Sequence, residues 1–223
     1  MHLLLSGIVG SVAYGLAGPG SDTDRLGVFA APTVAFHGLR PPRESVVTTD
    51  PDVTLHEARK YALLALSGNP TATELMWLPA DRYETRTAFG ERLIGIRSAF
   101  LSAPRVRDAY LGYATQQFRK LTGAPPDTGG RRRSAKHARH LARLLHQGRT
   151  LYATGVLEIR LADPEWFRAF GERVADGALA EAQALVADAE SEFARTRSPL
   201  PERPDEATVE RWLLDVRAAY LPR

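Results

Sequence analysis

The spacing of apolar residues changes near residue 55, and this change limits the folds open to the chain more than any other feature. Before it, short apolar runs such as Leu3-Leu4-Leu5 alternate with turns rich in Gly, Pro and Asp, which is typical of β-strands. From His56 onward, apolar residues recur at the spacing of amphipathic helices. The pattern therefore predicts an α+β protein, with a small sheet at the N-terminus and a mostly helical remainder.

Individual elements follow from the same patterns and from the Gly and Pro residues that interrupt them. Strand-like segments lie at 3–5, 22–31, 45–49 and 53–55. Helical spacing extends over 56–67, 71–78, 89–101, 105–121, 134–146, 178–194 and 206–219, after a brief helix at 12–16. We expect a catalytic domain at 1–102 and a helical domain at 103–223, with a mobile loop at about 122–133, where Gly and Pro are concentrated.

The composition excludes several kinds of protein. The chain has no cysteine, which rules out a disulfide framework, thiolate metal sites and a cysteine nucleophile. No apolar run approaches the roughly 20 residues that a membrane-spanning helix needs. The apolar start ends at Ser6-Gly7 and has no basic flank, so it is too short for a secretory signal. We expect a soluble, cytoplasmic protein that does not contact membranes.

Positive charge is concentrated in one segment. The net charge of the chain is only +3, yet residues 131–149 carry seven cations and no acid. These cations are Arg131, Arg132, Arg133, Lys136, Arg139, Arg143 and Arg149. A basic segment in an otherwise mildly acidic chain favours a polyanionic partner at that place. A solvated basic face is the alternative, because arginine is abundant throughout the sequence.

The segment from Gly10 to Asp24 carries the chemistry. Asp22 and Asp24 are two residues apart, so on a strand their carboxylates would lie side by side on one face. Two such charges repel unless a cation lies between them, and Mg²⁺ takes oxygen ligands of this kind together with phosphate and water. Upstream, Gly10-Ser11 opens a short helix whose free N–H groups would attract an anion. A phosphate site beside a carboxylate pair is suited to a nucleoside triphosphate with its metal.

Other interpretations of the same residues fail. A P-loop needs a Gly-Lys pair, and the chain has none. Gly18-Pro19-Gly20 precedes the acidic residues instead of opening a helix, as a dinucleotide fingerprint would. A Ca²⁺ loop starting at Asp22 would have Leu26 and Thr33 at ligand positions. A solvated Gly-rich loop remains the alternative to a metal and phosphate site.

Gly-Ser followed after about ten residues by Asp-x-Asp resembles the signature of the DNA polymerase β-type nucleotidyltransferase superfamily. One branch, the predicted nucleotidyltransferases associated with RNA ligase, is similar over about residues 3–160. The similar blocks are Gly10-Ser11-x-Ala13-Tyr14-Gly15-Leu16, Ser21-Asp22-x-Asp24-x-x-Gly27-Val28-Phe29, Asp52-Val53-Thr54-Leu55-His56-Glu57-x-x-Lys60-Tyr61, Gly68-Asn69-Pro70-Thr71-x-x-Glu74-Leu75, and Lys136-x-x-x-His140-x-x-Arg143-Leu144-Leu145 followed by Thr154-Gly155.

The resemblance implies a small mixed sheet of the polymerase β nucleotidyltransferase type and a role for each motif residue. Gly10 and Ser11 would hold the β- and γ-phosphates of the donor. Asp22 and Asp24 would bind two Mg²⁺ ions, with Mn²⁺ as an alternative. A third carboxylate is expected on a neighbouring strand, and we assign it to Asp52, at the start of the strand-like segment 53–55, with Asp50 as the fallback.

Basic residues outside the carboxylate motif are further candidates for phosphate binding. On a helix over 134–146, Lys136, His140 and Arg143 fall on one stripe that would bind the triphosphate or the phosphates of the acceptor. A solvated amphipathic helix is the alternative. Lys60 would also reach the phosphates, although a surface lysine is an equal expectation.

These expectations combine into one reaction. A nucleoside monophosphate passes from a nucleoside triphosphate to an acceptor hydroxyl, pyrophosphate leaves, and Asp52 is placed to accept the proton of the hydroxyl. We expect the acceptor to be an RNA 3′ end, because of the basic segment 131–149 and the implied association with RNA ligase. Transfer to a small molecule or a protein, and a non-catalytic RNA- or nucleotide-binding module, are the alternatives.

Overall fold

The structure is a computed structural model that describes residues 1–123 and 130–221. Its contacts divide the chain into two compact units. The first unit consists of Met1–Leu101 together with the chain from Pro204 onward, and the second is Ser102–Arg203. This division differs from the expected domains in one respect, because the last helix groups with the N-terminal unit.

The first unit is built on a five-stranded mixed sheet. The strands are β1 (His2–Ile8), β2 (Arg25–Ala30), β3 (Ser45–Thr49), β4 (Asp52–Glu57) and β5 (Tyr83–Arg86). Their order in the sheet is β3-β4-β2-β1-β5. β2 and β4 are parallel, and the other neighbouring strands are antiparallel. The expected α+β class with a small mixed N-terminal sheet is confirmed.

Nine helices lie in the described part of the chain. They are α1 (Gly10–Tyr14), α2 (Ala58–Leu66), α3 (Pro70–Leu75), α4 (Ala88–Gly95), α5 (Ala103–Thr122), α6 (Gly130–Thr154), α7 (Pro164–Ala175), α8 (Leu179–Arg195) and α9 (Glu206–Ala219). Helices α5 to α8 make up most of the second unit, and the others belong to the first.

Side-chain caps determine where the helices beside the sheet begin. The Glu57 carboxylate accepts from the backbone N–H of Arg59 at the start of α2, and Asn69 accepts from the N–H of Ala72 at the start of α3. These caps satisfy N–H groups that the helices themselves leave unpaired. The fully buried Tyr61 then joins the two helices, because its hydroxyl donates to the carbonyl of Ala72.

Helix α9 packs within the first unit through buried polar contacts. The indole of Trp212 donates to the carbonyl of Phe89 at 3.0 Å. The guanidinium of Arg217 donates to both oxygens of Glu57, at 2.6 and 2.9 Å, and Glu57 is only 3% exposed. The ion pair therefore connects α9 to Glu57, the last residue of β4.

The second unit contains a long antiparallel helix pair. Residues of α5 and α6 approach closely at Gly148, where an added Cβ would lie 2.6 Å from the Cβ of Tyr110. Helix α6 is longer than the expected 134–146, and it includes 130–133, which we had placed in the mobile loop. At the other end of that expected loop, Thr122 is the last residue of α5 and Gly123 is its cap, and 124–129 lies outside the described residues. Among the described helices, none combines the length and apolar character required to cross a membrane.

Candidate active site

A glycine–serine corner follows the end of β1. Gly10 has a φ of +70°, in the left-handed region that favours glycine, and it begins the five-residue helix α1. The carbonyl of Ser11 accepts hydrogen bonds from the N–H groups of Leu16 and Ala17, at 2.8 and 3.0 Å. The corner therefore has a fixed backbone, with its conformation set by local hydrogen bonds.

Asp24 lies directly against this corner. The N–H of Val9 donates to the carbonyl of Asp24 at 2.9 Å, which aligns the two segments. A Cβ added at Gly10 would lie only 2.2 Å from the Oδ2 atom of Asp24. The carboxylate thus occupies the space that any side chain at position 10 would fill. The close approach of the two motifs requires glycine there.

Replacing Gly10 with Ala tests this contact. We expect Gly10→Ala to displace the Asp24 carboxylate and, if the chain performs the nucleotide transfer that the motifs predict, to lower its rate by about 10²-fold, because small misplacements of a reacting site are costly. Gly20→Ala is the matched control, since Gly20 also has a positive φ (+76°) but an added Cβ meets no atom within 4 Å. The measurement is the rate of transfer from labelled nucleotide. If both variants lose activity to the same extent, backbone strain and not the contact with Asp24 is the cause.

Both residues of the Asp-x-Asp motif precede the strand on which they were expected. β2 begins at Arg25 instead of Asp22, so strand alternation does not set the relation between Asp22 and Asp24. Asp24 is instead positioned by its backbone bond to Val9, while Asp22 is exposed in an irregular segment. The physical reason is that β1 ends at Ile8, which pairs with Arg25, so Asp22 has no residue of β1 to pair with.

The register of the parallel strands relates Asp24 to Asp52. β2 and β4 pair from Arg25 and Val53 onward, so the preceding positions, 24 and 52, are level at the same edge of the sheet. Neighbouring strands lie about 4.8 Å apart, so the backbones at positions 24 and 52 are close to each other. Asp50 lies in the turn between β3 and β4, outside this register. The structure therefore favours Asp52 over Asp50 as the neighbour of Asp24.

The three carboxylates do not form a closed metal cluster. Among residues 1–123 and 130–221, no three or more His, Asp or Glu side chains lie close enough together to hold a metal ion. Like charges repel each other, and Asp22 and Asp52 are exposed to solvent, where their side chains are free to rotate. Carboxylate oxygens at one sheet edge, beside the glycine–serine corner, are nevertheless the donor set that suits Mg²⁺. The chemistry of these side chains is therefore compatible with a divalent cation, although their observed positions do not form a closed site.

A buried hydrogen bond connects helix α1, which begins at the glycine–serine corner, to helix α3. The hydroxyl of Tyr14, the last residue of α1, donates to the Oε2 atom of Glu74 on α3, and both residues are buried. Burial, with Tyr83 and Glu74 nearby, also raises the pKa of Tyr61 well above its usual range. Glu74 is therefore a core residue under the corner. Its place in the sequence, five residues after the helix cap Asn69, does not reveal this contact.

Lys60 does not lie beside the carboxylates. β4 runs from Asp52 to Glu57 away from the site edge, which puts its far end about 16 Å along the strand. Lys60 follows that far end, and its Nζ atom lies 3.7 Å from a carboxylate oxygen of Glu44. We expected Lys60 to reach the phosphates, but in the structure it lies at the opposite end of β4 from Asp52. The sequence does not give the direction of this strand.

Lys136, His140 and Arg143 belong to the second unit and do not form an exposed stripe. Lys136 is exposed, but Arg143 is only 5% exposed and its guanidinium donates to the Oε1 atom of Gln147 at 2.5 Å. Burial, followed by the nearby Arg143 cation, lowers the pKa of His140 to about 3. Helix α6 thus turns this stripe progressively into the interior of the unit.

The basic segment is partly neutralised by helices that follow it. Arg131 forms ion pairs with Glu172 and Asp176, at 2.6 and 2.7 Å. Arg139 also contacts Glu172, and Arg149 pairs with Glu192 of α8 at 2.9 Å. These acids come from distant parts of the sequence. The segment is therefore less available to a polyanion than its composition suggests.

A comparison with protein families agrees with the geometry of the site. The model of the RNA repair pathway DNA polymerase beta family matches residues 1–188. The chain belongs to this family. The match includes the glycine–serine corner and the aspartates at the sheet edge, and it ends before α9. The resemblance inferred from the motifs is confirmed, since the family is of the polymerase β nucleotidyltransferase type and is associated with RNA repair.

No curated protein matches the chain. Membership of the RNA repair pathway DNA polymerase beta family supports the kind of enzyme, a nucleotidyltransferase. The donor, the acceptor and the metal have to be argued from the residues themselves.

Proposed function

We propose that this protein transfers a nucleoside monophosphate from a nucleoside triphosphate to the hydroxyl of an RNA 3′ end, releasing pyrophosphate. The observation that carries the proposal is the packing of the Asp24 carboxylate against Gly10, with Asp52 level on the neighbouring parallel strand. The glycine–serine corner and two carboxylates therefore lie at one edge of the sheet, which supports binding of a triphosphate with its metal there. Membership of an RNA repair family supports RNA as the acceptor.

The corner would bind the β- and γ-phosphates. Gly10 offers a backbone without a side chain, so a phosphate can approach it closely. The hydroxyl of Ser11 is a further donor, and Ser11 is held in place by the bonds that its carbonyl accepts. The support from Tyr14 and Glu74 keeps α1 in this position.

Asp22, Asp24 and Asp52 would hold Mg²⁺, with Mn²⁺ as the alternative. When bound, the metal supplies positive charge that neutralises the phosphates and lowers the pKa of the acceptor hydroxyl. Asp24, whose backbone carbonyl accepts from the N–H of Val9, would be the most firmly placed of the three ligands. The exposed Asp22 and Asp52 would supply further carboxylate oxygens.

The chain's own residues position the reactants for an in-line displacement. The acceptor oxygen forms a bond to the α-phosphorus, the bond from that phosphorus to the bridging oxygen breaks, and pyrophosphate leaves. The proton of the acceptor hydroxyl passes to the carboxylate of Asp52, which is exposed at the site edge. Most of the rate enhancement comes from positioning and charge stabilisation.

Two neighbouring variants separate the candidates for the third carboxylate. We expect Asp52→Asn to lower transfer by about 10²-fold or more, because it removes both a ligand and the proton acceptor. Asp50→Asn removes the same charge two residues away, outside the register with Asp24, and we expect it to retain more than half of the activity. Initial rates with labelled nucleotide are the measurement. A larger loss in the Asp50 variant would reverse the assignment.

The identity of donor and acceptor is tested by incubation with each nucleoside triphosphate labelled at the α-phosphate, together with Mg²⁺ or Mn²⁺ and total RNA. We expect the label to enter RNA and to be removed by a 3′ exonuclease. Label in protein or in small products would assign another acceptor to the same chemistry. If no label is transferred while RNA is retained on a filter, the protein is a binding module and the proposal is wrong.

A further inference from the structure

The C-terminal end of α5 and the N-terminal half of α6 meet at one hydrogen-bonded contact. His137 Nδ1 and Gln117 Oε1 lie 2.9 Å apart. Lys120 follows Gln117 by three residues, one helical turn, and Arg133 and Lys136 precede His137 by four residues and one. The contact therefore brings three cations from two helices to the same end of the helix pair.

These three cations are available for binding, unlike Arg131, Arg139 and Arg149 of the basic segment, which pair with acids. Lys120, Arg133 and Lys136 are all exposed, and none forms an ion pair with a carboxylate in the described part of the chain. Elsewhere on α6, Arg131 and Arg139 are engaged by Glu172 of α7, and Arg131 also by Asp176 at the end of that helix. Within the described residues, α6 thus carries both cations that are neutralised and cations that have no acidic partner.

The sequence around Lys120, Arg133 and Lys136 is also free of acids within α5 after Asp108 and throughout α6. Neither 109–123 nor 130–154 contains an acidic residue. Burial lowers the pKa of His137, and the cations Lys120, Lys136 and Arg133 lower it further. Among the described residues, the charged groups that act on His137 are therefore these three cations.

We propose that Lys120, Arg133 and Lys136 form a binding face for the phosphate backbone of RNA. The choice of RNA as the polyanion rests on the proposed function. Cations three residues apart on a helix lie about 5–6 Å from each other, a separation that allows adjacent phosphates of one strand to be contacted. The contact between Gln117 and His137 fixes the two helices, so the three charges converge without a change of fold. Sequence-independent contacts of this kind hold the acceptor strand without selecting its bases.

The test measures the affinity of the full chain for a fluorescein-labelled single-stranded RNA of about 20 nucleotides. Anisotropy is recorded over a range of salt concentrations and without nucleoside triphosphate. We expect the triple variant K120A/R133A/K136A to bind on the order of 10²-fold more weakly than the parent. Its slope of log K against log salt should be smaller by about 2, since each lost phosphate contact removes about 0.7 for a single strand.

A matched variant removes the same charge elsewhere in the second unit. Arg119, Arg132 and Arg197 are exposed and form no ion pair with a described carboxylate, and none of them acts on the pKa of His137. We expect R119A/R132A/R197A to lose less than about fivefold in affinity. Circular dichroism is used to check that both variants are folded. The single variant K136A is a milder substitution, and we expect it to bind RNA more weakly than the parent but more tightly than K120A/R133A/K136A.

The outcomes separate this proposal from the proposed function. Equal losses of RNA affinity in the two triple variants would contradict the proposed binding face, because only net charge would then matter. That result would leave the proposed nucleotide transfer untouched. Loss confined to K120A/R133A/K136A supports the face even if no transfer is found. Failure of the parent chain to bind RNA, with binding to vesicles of anionic lipid instead, would overturn the choice of RNA.

Discussion

Replacing Asp24 with Asn is expected to abolish nucleotide transfer while leaving the protein folded. The substitution keeps the shape of the side chain that lies against Gly10 but removes its charge. A metal at this edge would supply several kcal/mol of transition-state stabilisation, and a loss of about 4 kcal/mol corresponds to roughly 10³-fold in rate. Initial rates of label transfer from an α-labelled nucleoside triphosphate are the measurement.

The melting temperature of the Asp24 variant distinguishes a chemical defect from a folding defect. We expect it to be close to that of the parent, because the substitution keeps the shape of the side chain that packs against Gly10. Asp188→Asn is the control, since Asp188 is exposed on α8 in the second unit and should retain full activity. Transfer by the Asp24 variant at a rate near that of the parent would reject the assignment of the site.

Replacing Arg217 with Ala should cause the largest loss of stability. Arg217 donates to both oxygens of the buried Glu57, and its guanidinium lies 4.2 Å from the centre of the Phe36 ring. Removing it leaves a carboxylate that is 3% exposed without its cation. Breaking a buried pair in this way costs about 3–5 kcal/mol, so we expect a lower midpoint in urea unfolding followed by circular dichroism.

Two further variants test whether the loss of stability comes from the buried charge of Glu57. Arg211 lies on the same helix but is exposed, and it donates to the Thr208 side chain three residues earlier, so Arg211→Ala should cost less than about 0.5 kcal/mol. Neutralising the partner, in E57Q/R217A, should recover part of the loss, because no uncompensated charge remains. If Arg217→Ala is no less stable than Arg211→Ala, the ion pair does not hold α9 in place.

The elements that could be predicted from the sequence are those with local signals at both ends. Helix α9 has the predicted bounds because Asp205 accepts from the N–H of Thr208 at its start and a proline follows its last turn. Helix α7 was missed although such a signal exists. Asp163 caps it, Pro164 is its first residue, and Phe167, Phe170 and Val174 form its buried face. Attention to the cap and this spacing would have found it.

Other elements depend on contacts that are distant in the sequence. β5 (Tyr83–Arg86) has no alternation of apolar and polar residues, and it is a strand because it pairs with β1. The first turns of α6 were assigned to a loop because they are rich in Arg and Gly. They are helical in the structure, where Arg131 pairs with acids more than 40 residues later. Sequence patterns alone do not contain such partners.

The site divides in the same way. The proximity of Gly10 and Asp24 follows from the motif spacing, since a short helix and turn return the chain to the end of β1. The level positions of Asp24 and Asp52 depend on the parallel register of β2 and β4, which the sequence suggests but does not set. Lys60 was misplaced for the corresponding reason, because the direction of β4 decides which end of the sheet it reaches.

The most direct test of the account is the binding of Mn²⁺ in the presence of a triphosphate whose α,β-bridge cannot be cleaved, followed by electron paramagnetic resonance. The central claim is that Asp24 and Asp52 hold one metal–nucleotide site beside Gly10. We predict that the parent chain binds the metal and the nucleotide together, and that the double variant D24N/D52N binds them at least about 10²-fold more weakly. Binding by the double variant that equals that of the parent would contradict the account.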